Sequence, residues 1–147
     1  TDQLSAFDPA TRQDLRARAS EAACQDPEGR RCLQHQLYNA QVTKLREGLA
    51  AVLDILQQDG LLENTLVLVY SDHGEEFWEH GVNGHGWDLY EEVLHVPLVL
   101  KPPRWKSGGV RVPHLVAQVD IAPTLGRMLG IDYPMQDAKR ILSEVWR

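Results

Sequence analysis

The segment "TLVLVYSDHG", residues 65 to 74, decides which fold class this chain adopts. It opens with a continuous aliphatic and β-branched run, which is typical of a strand buried on both faces of a sheet. Asp72 and His73 follow at the point where that strand ends. Ligands of open α/β sheets bind beyond the carboxyl ends of the strands, so this pair is the first candidate for a functional site.

A long helix precedes this strand, and further strands follow it. Apolar residues recur at three- and four-residue steps over residues 33 to 58, and Asp59-Gly60 ends the predicted helix. Downstream, "HVPLVLK" (95 to 101) and "HLVAQVD" (114 to 120) have the composition of two more strands. This alternation of helix and strand predicts an α/β fold with a largely parallel sheet flanked by helices.

Helices are also predicted towards both ends of the chain. Asp8-Pro9 suits the N-cap and first position of a polar helix that runs through Ala23. Asp120 is placed to cap a helix "IAPTLGRML" that stops at Gly130, and "DAKRILSEVW" (137 to 146) predicts a last helix.

The composition is that of a soluble globular protein, with 43% hydrophobic and 24% charged residues. No apolar run approaches the roughly 18 residues of a membrane span. The net charge is −6 and the cationic residues are scattered, which argues against broad electrostatic binding of nucleic acid. The sequence opens at Thr1 without Met, so we expect a processed or excised piece. We expect it to form one partial domain, residues 1–147, with a polar helical lead-in at 1–32, a core at 33–131 and a terminal helix at 132–147.

Cys24 and Cys32 lie on either side of the short polar turn "QDPEGRR". A disulfide across this turn would suit a periplasmic or secreted protein, whereas two thiols would suit the cytosol. The spacing fits none of the usual zinc arrangements. We expect the disulfide, and with it an extracytoplasmic location.

Three of the six histidines fall within a short segment after the strand, at His73, His80 and His85. An isolated Asp-His pair after a strand is usually a polar turn. Here it is followed by Glu75, Glu76 and a glycine-rich loop, in which Gly81, Gly84 and Gly86 allow tight folding. We interpret His80 as a structural residue, and His85, between two glycines, as a candidate for proton transfer or anion binding.

Two long runs carry a family resemblance. "NTLVLVYSDHGEEFWEHGVNGHGWDLYEEVLHVPLVLK" and "VDIAPTLGRMLGI" closely resemble the carboxyl-terminal half of the catalytic domain of the sulfatase family, within the alkaline phosphatase superfamily. "LYNAQVTKL" resembles the helix that precedes the strand in those enzymes, so the resemblance covers about residues 37 to 131. It implies a portion of an alkaline-phosphatase-like sandwich.

The resemblance implies a metal-dependent hydrolase of sulfate esters, and it assigns roles to three residues. Asp72 and His73 match the motif positions that bind the metal, and His85 matches a position that contacts the transferred group. Calcium is the usual metal of the family, although the nitrogen of His73 would suit manganese or zinc. Asn39 and His95 depart from the family pattern, and we interpret both as structural variation.

The amino-terminal half of the family domain is absent from this sequence. In the family that half supplies the other metal ligands and a Cys-or-Ser, any, Pro, any, Arg nucleophile motif. "LKPPR", residues 100 to 104, has the Pro and Arg but an aliphatic residue in place of the nucleophile. We therefore expect the missing half as a partner and the isolated chain to be inactive.

Three functions remain open at this stage. The first is a sulfatase-like hydrolase, whose substrate is a sulfate ester. The second is a phosphoryl or phosphonate ester hydrolase, or a phosphoglycerol transferase, of the same superfamily. The third is a non-catalytic remnant that keeps the fold for binding.

Overall fold

The computed structural model describes residues 8–21, 30–106 and 109–131. These residues fall into two compact units, one ending at Trp105 and the other beginning at Lys106. The first unit contains, in chain order, α1 (Pro9–Glu21), α2 (Arg30–Gln58), β1 (Val67–Tyr70), β2 (Glu76–Phe77), β3 (Asn83–Gly84), α3 (Glu91–Leu94) and β4 (Leu98–Lys101). The second contains α4 (Ile121–Leu129).

The two predicted amino-terminal helices are confirmed. Asp8 caps α1, because its Oδ1 accepts the backbone N–H groups of Ala10 and Thr11 at 3.0 and 3.1 Å. The Thr11 hydroxyl also donates to Asp8, and these hydrogen bonds hold the pKa of Asp8 below its ordinary value. α2 ends at Gln58, and Gly60 follows with a φ of +68°.

The first sheet pairs β1 with β4 in antiparallel orientation, with Val67 opposite Lys101 and Tyr70 opposite Leu98. The second sheet is also an antiparallel pair, so the predicted parallel sheet is not confirmed within the described residues. Parallel neighbours need a crossover connection, usually a helix of some length. Between β1 and β4 the chain instead forms a hairpin and the four-residue helix α3. The mixture of helix and strand agrees with the predicted α/β class.

The strand β1 is less buried than its sequence predicts. Its residues are half-buried and Tyr70 is exposed, so the expected burial on both faces is wrong for the described part of the chain. β4 is the one strand neighbour of β1 within the described ranges. Lys101, at the end of β4, donates from Nζ to the carbonyls of Leu62 and Thr65, which ties the sheet to the turn before β1.

The third predicted strand, residues 114 to 120, is wrong. Gln118–Asp120 forms a 3₁₀ turn that leads directly into α4, and Gly130 ends α4 as predicted, with a φ of +68°. Asp120 occupies the N-cap position but makes no side-chain cap hydrogen bond. Its backbone is already helical, whereas a capping side chain needs an extended backbone. Its carbonyl instead accepts the Thr124 hydroxyl at 2.6 Å.

The buried cluster of the first unit lies on the start of α2, where Leu33 and Ala40 pack against Leu37, and the hairpin of β2 and β3 packs against the same part of α2. Phe77 is buried there, with its ring centroid 4.3 Å from that of His35 and 5.3 Å from that of Tyr38. Towards its carboxyl end α2 exposes apolar side chains, among them Val52 and Ile55.

The predicted terminal helix (residues 132–147) and Cys24 of the expected disulfide lie outside the described residues.

Candidate metal and acid–base site

The site is built on the β2–β3 hairpin. Glu76 lies opposite Gly84 and Phe77 opposite Asn83, and the Trp78 N–H donates to the Val82 carbonyl at 2.8 Å across the turn. Glycines carry the sharp bends of this segment, with positive φ at Gly81, Gly84 and Gly86, as the loop prediction requires. The sequence interpretation identified the glycines but not the two short strands.

The hairpin register brings together two side chains that the sequence does not pair. Glu75 directly precedes β2 and His85 directly follows β3, so the hairpin register places the two residues opposite each other. His85 Nδ1 lies 3.0 Å from Glu75 Oε2. A carboxylate accepts hydrogen bonds only, so the proton is on Nδ1 and the lone pair of the neutral ring is on Nε2.

The segment from Ser71 to Glu75 is held by backbone contacts with α3. The Gly74 N–H donates to the Val93 carbonyl at 2.7 Å, and the Glu75 N–H donates to the Glu92 carbonyl at 3.0 Å. A Cβ at position 74 would lie 1.9 Å from the Glu92 carbonyl oxygen. Glycine at position 74 therefore allows two backbones to approach closely.

Asp72 and His73 lie where the sequence places them, directly after β1. The His73 Nδ1 lies 2.8 Å from the Gly74 carbonyl, to which it donates because a carbonyl oxygen has no proton to give. The lone pair is therefore on His73 Nε2, which lies 3.7 Å from Asp72 Oδ1. The side chain of Asp72 is 82% exposed and that of His73 is 39% exposed.

His73 and His85 are brought into contact, although they are distant in sequence. Their rings stack with centroids 3.6 Å apart and planes inclined by 25°. His73, Glu75 and His85 each offer one ligand atom, and these atoms lie within 4.8 Å of one another. The structure thus brings His73 and His85 together, adds Glu75 to them, and places Asp72 Oδ1 3.7 Å from His73 Nε2.

The donor atoms fit a divalent cation. Asp72 offers a carboxylate oxygen and His73 offers an imidazole nitrogen whose Nδ1–H is already fixed by a backbone carbonyl. Such outer hydrogen bonds orient histidine ligands in metal sites generally. Two donors are only part of the shell of any such ion, and the nitrogen suits manganese or zinc better than calcium.

His80 lies apart from these residues, in a second cluster. Its backbone N–H donates to Glu76 Oε1 at 2.8 Å, and its ring stacks on Tyr90 with centroids 3.5 Å apart. The Glu76 side chain is fully buried. These contacts support the interpretation of His80 as a residue that holds the hairpin in place.

The sequence model of the sulfatase family matches residues 3–131, which is most of the chain. The chain belongs to the sulfatase family. Sulfatases are members of the alkaline phosphatase superfamily, so the resemblance drawn from the sequence is confirmed. No solved structure matches this sulfatase chain at a significant level.

Three relatives illustrate the match of this sulfatase chain. Arylsulfatase K of Homo sapiens is 36% identical over 97 residues, which is 66% of the chain and 18% of the relative. The ulvan-active sulfatase of Formosa agariphila is 33% identical, covering 65% of the chain and 15% of the relative. The N-acetylglucosamine-6-O-sulfatase of Bacteroides thetaiotaomicron is 31% identical, covering 66% and 17%. The chain therefore spans less than a fifth of the length of these curated relatives.

None of the helices in the described ranges combines the length and the apolar composition that a membrane span needs.

Proposed function

We propose that this chain is part of a metal-dependent hydrolase of sulfate esters. One observation carries the proposal: Asp72 and His73 direct an oxygen and a nitrogen to the same place at the end of β1, and the ring of His85 stacks on His73. The family membership of the chain supports sulfate esters as the substrate class. The organic part of the ester is left open.

Asp72 and His73 would hold the metal, through Oδ1 and Nε2 respectively. A divalent cation bound there supplies positive charge against the sulfuryl oxygens. Family resemblance favours calcium, while the nitrogen of His73 makes manganese or zinc the alternatives. The remaining ligands come from the amino-terminal half of the domain, which this sequence does not contain.

His85 would contact the sulfuryl group or the leaving oxygen through Nε2, since Nδ1 is engaged by Glu75. When the ring takes up a second proton, both nitrogens are donors, and Nε2 then donates a hydrogen bond to the sulfuryl group or a proton to the leaving oxygen while Nδ1–H stays on Glu75. The attacking nucleophile belongs to the missing half as well. We also propose an extracytoplasmic location, on the strength of the expected Cys24–Cys32 disulfide.

The test uses the complete protein that contains this chain. After treatment with a chelator, it is assayed with an aryl sulfate and an aryl phosphate in the presence of calcium, manganese or zinc. We expect metal-dependent turnover of the sulfate, and we expect Asp72→Ala to abolish turnover and lower the metal content with the fold retained. Asp54→Ala, at an exposed position on α2, is the matched control and should change neither.

Two outcomes would contradict the proposal. Faster turnover of the phosphate than of the sulfate would favour a phosphoryl hydrolase of the same superfamily. Unchanged metal content and turnover in Asp72→Ala would mean that Asp72 and His73 form only a polar turn.

A further inference from the structure

The Glu75–His85 contact is the shortest carboxylate–imidazole contact within the described part of the chain. Its 3.0 Å compares with 3.4 Å for the exposed Glu91–His95 pair and 3.8 Å for the contacts of His80 with Glu76 and Glu92. The side chain of Glu75 is 24% exposed, whereas that of Glu91 is 87% exposed. The first pair is therefore better shielded from water and more closely held.

The backbones of Glu75 and His85 are each held in place by contacts that do not involve their side chains. Glu75 is held through its N–H by the Glu92 carbonyl, next to the close approach at Gly74. His85 is held by the β2–β3 register and follows Gly84, whose φ of +103° a residue with a side chain rarely adopts. The positions of the hairpin and of α3 therefore bring the Glu75 and His85 side chains together.

From this geometry we infer that Glu75 is a positioning residue for His85, which keeps the ring as the Nδ1–H tautomer with Nε2 directed to the substrate. The inference rests on the proposed function, because it concerns how His85 serves the reaction. A carboxylate at Nδ1 sets both the tautomer and the orientation of an imidazole, and loss of such a partner misplaces Nε2. Glu75 acts through His85 and contacts no reacting atom.

The competing role for Glu75 is that of a third metal ligand beside His73 and His85, since the three ligand atoms lie close together. Two contacts favour positioning. Glu75 Oε2 and His85 Nδ1 are at hydrogen-bond distance from each other, and His73 has an alternative ligand partner in Asp72. Metal content therefore decides between the two roles.

The kinetic test compares Glu75→Gln, His85→Ala and the double variant in the complete protein. We expect Glu75→Gln to lower kcat by about 10- to 100-fold, the usual loss when a partner that orients a histidine is removed. KM and metal content should change little. The double variant should be no slower than His85→Ala, because a positioning residue has no effect once its target is gone.

Glu91→Gln is the matched control, since it removes a carboxylate from the exposed Glu91–His95 pair and should leave kcat unchanged. Glu75→Asp, which keeps the charge, should recover part of the lost rate. Three results would overturn the inference: an unchanged kcat in Glu75→Gln, a metal content that falls with kcat, or a double variant much slower than His85→Ala.

A second readout does not depend on sulfatase activity. Nitrogen-15 NMR of histidine-labelled complete protein, with the His85 signal assigned through His85→Gln, reports which ring nitrogen carries the proton. We expect the Nδ1–H tautomer in wild type and its loss in Glu75→Gln. An Nε2–H tautomer in wild type would overturn the inference. Absence of sulfate hydrolysis with the Nδ1–H tautomer intact would instead refute the proposed function and leave the Glu75–His85 assignment standing.

Discussion

At the scale of single residues, hydrogen-bond acceptors decide how the imidazole rings of the site are oriented. The Gly74 carbonyl accepts from His73 and the Glu75 carboxylate accepts from His85, in both cases at Nδ1. Both rings therefore keep Nε2 for other partners. This common arrangement suits the roles that we propose, in which His73 binds a metal and His85 faces the substrate.

Gly74 offers a prediction at the same scale. Gly74→Ala should lower the free energy of unfolding by about 2 kcal/mol or more, because the new methyl group would overlap the Glu92 carbonyl and force two backbones apart. Gly48→Ala is the control: position 48 lies within α2 with open space around it, and there alanine should stabilise by about 0.5 to 1 kcal/mol. Urea unfolding of the complete protein measures both, and equal effects would contradict the prediction.

At the scale of elements, α2 and the hairpin are joined by the ion pair of Arg31 and Glu79, with Nη2 and Oε1 3.2 Å apart. Burial by itself would raise the pKa of Glu79 above its ordinary value. The backbone hydrogen bonds from Glu79 itself and from Phe77, together with the charge of Arg31, outweigh burial and hold that pKa below its ordinary value. The carboxylate is thus favoured in the folded protein.

This lowered pKa gives a pH dependence. The stability that Glu79 contributes is present above the pKa of the unfolded chain and is lost as the pH falls through the lower pKa of the folded chain. Glu79→Gln should lower stability at pH 7 by at most about 1 kcal/mol, since the pair is partly exposed. It should also reduce the loss of stability below about pH 4.

Thermal unfolding between pH 7 and pH 3 measures this effect. Glu47→Gln, at an exposed position of α2, is the control and should follow wild type throughout. A Glu79→Gln protein whose acid sensitivity equals that of wild type would show that the ion pair does not link α2 to the hairpin energetically.

At the scale of the whole molecule, much apolar surface is left uncovered within the described residues. The carboxyl-terminal part of α2 exposes Val52 and Ile55, and β1 has a strand on one edge only. Such a face and such an edge normally pack against further chain. They are suitable surfaces for the amino-terminal half that we propose completes the domain.

The isolated chain gives the prediction at this scale. Residues 1–147 alone should not hydrolyse an aryl sulfate or an aryl phosphate with calcium, manganese or zinc, because the chain carries no motif nucleophile and only part of a metal shell. An assay for multiple turnover tests this. Metal-dependent turnover that disappears in Asp72→Ala would contradict it and would require another nucleophile within the chain.

The sequence by itself determined the elements whose signals are local. The spacing of apolar residues predicted α2, Gly130 marked the end of α4, and the aliphatic run predicted β1 with Asp72 and His73 at its end. These features depend on neighbours within about four residues, where backbone sterics and helix periodicity act.

Only the tertiary structure decided which distant residues meet. The antiparallel pairing of β1 with β4, the approach of Gly74 to the Glu92 carbonyl and the contact of Glu75 with His85 all depend on strand register and on the path of α3. A shift of one residue in the hairpin would send these side chains to opposite faces, and no local pattern in the sequence fixes that register. The sequence therefore located Asp72 and His73 at the strand end, and folding decided which carboxylate contacts His85.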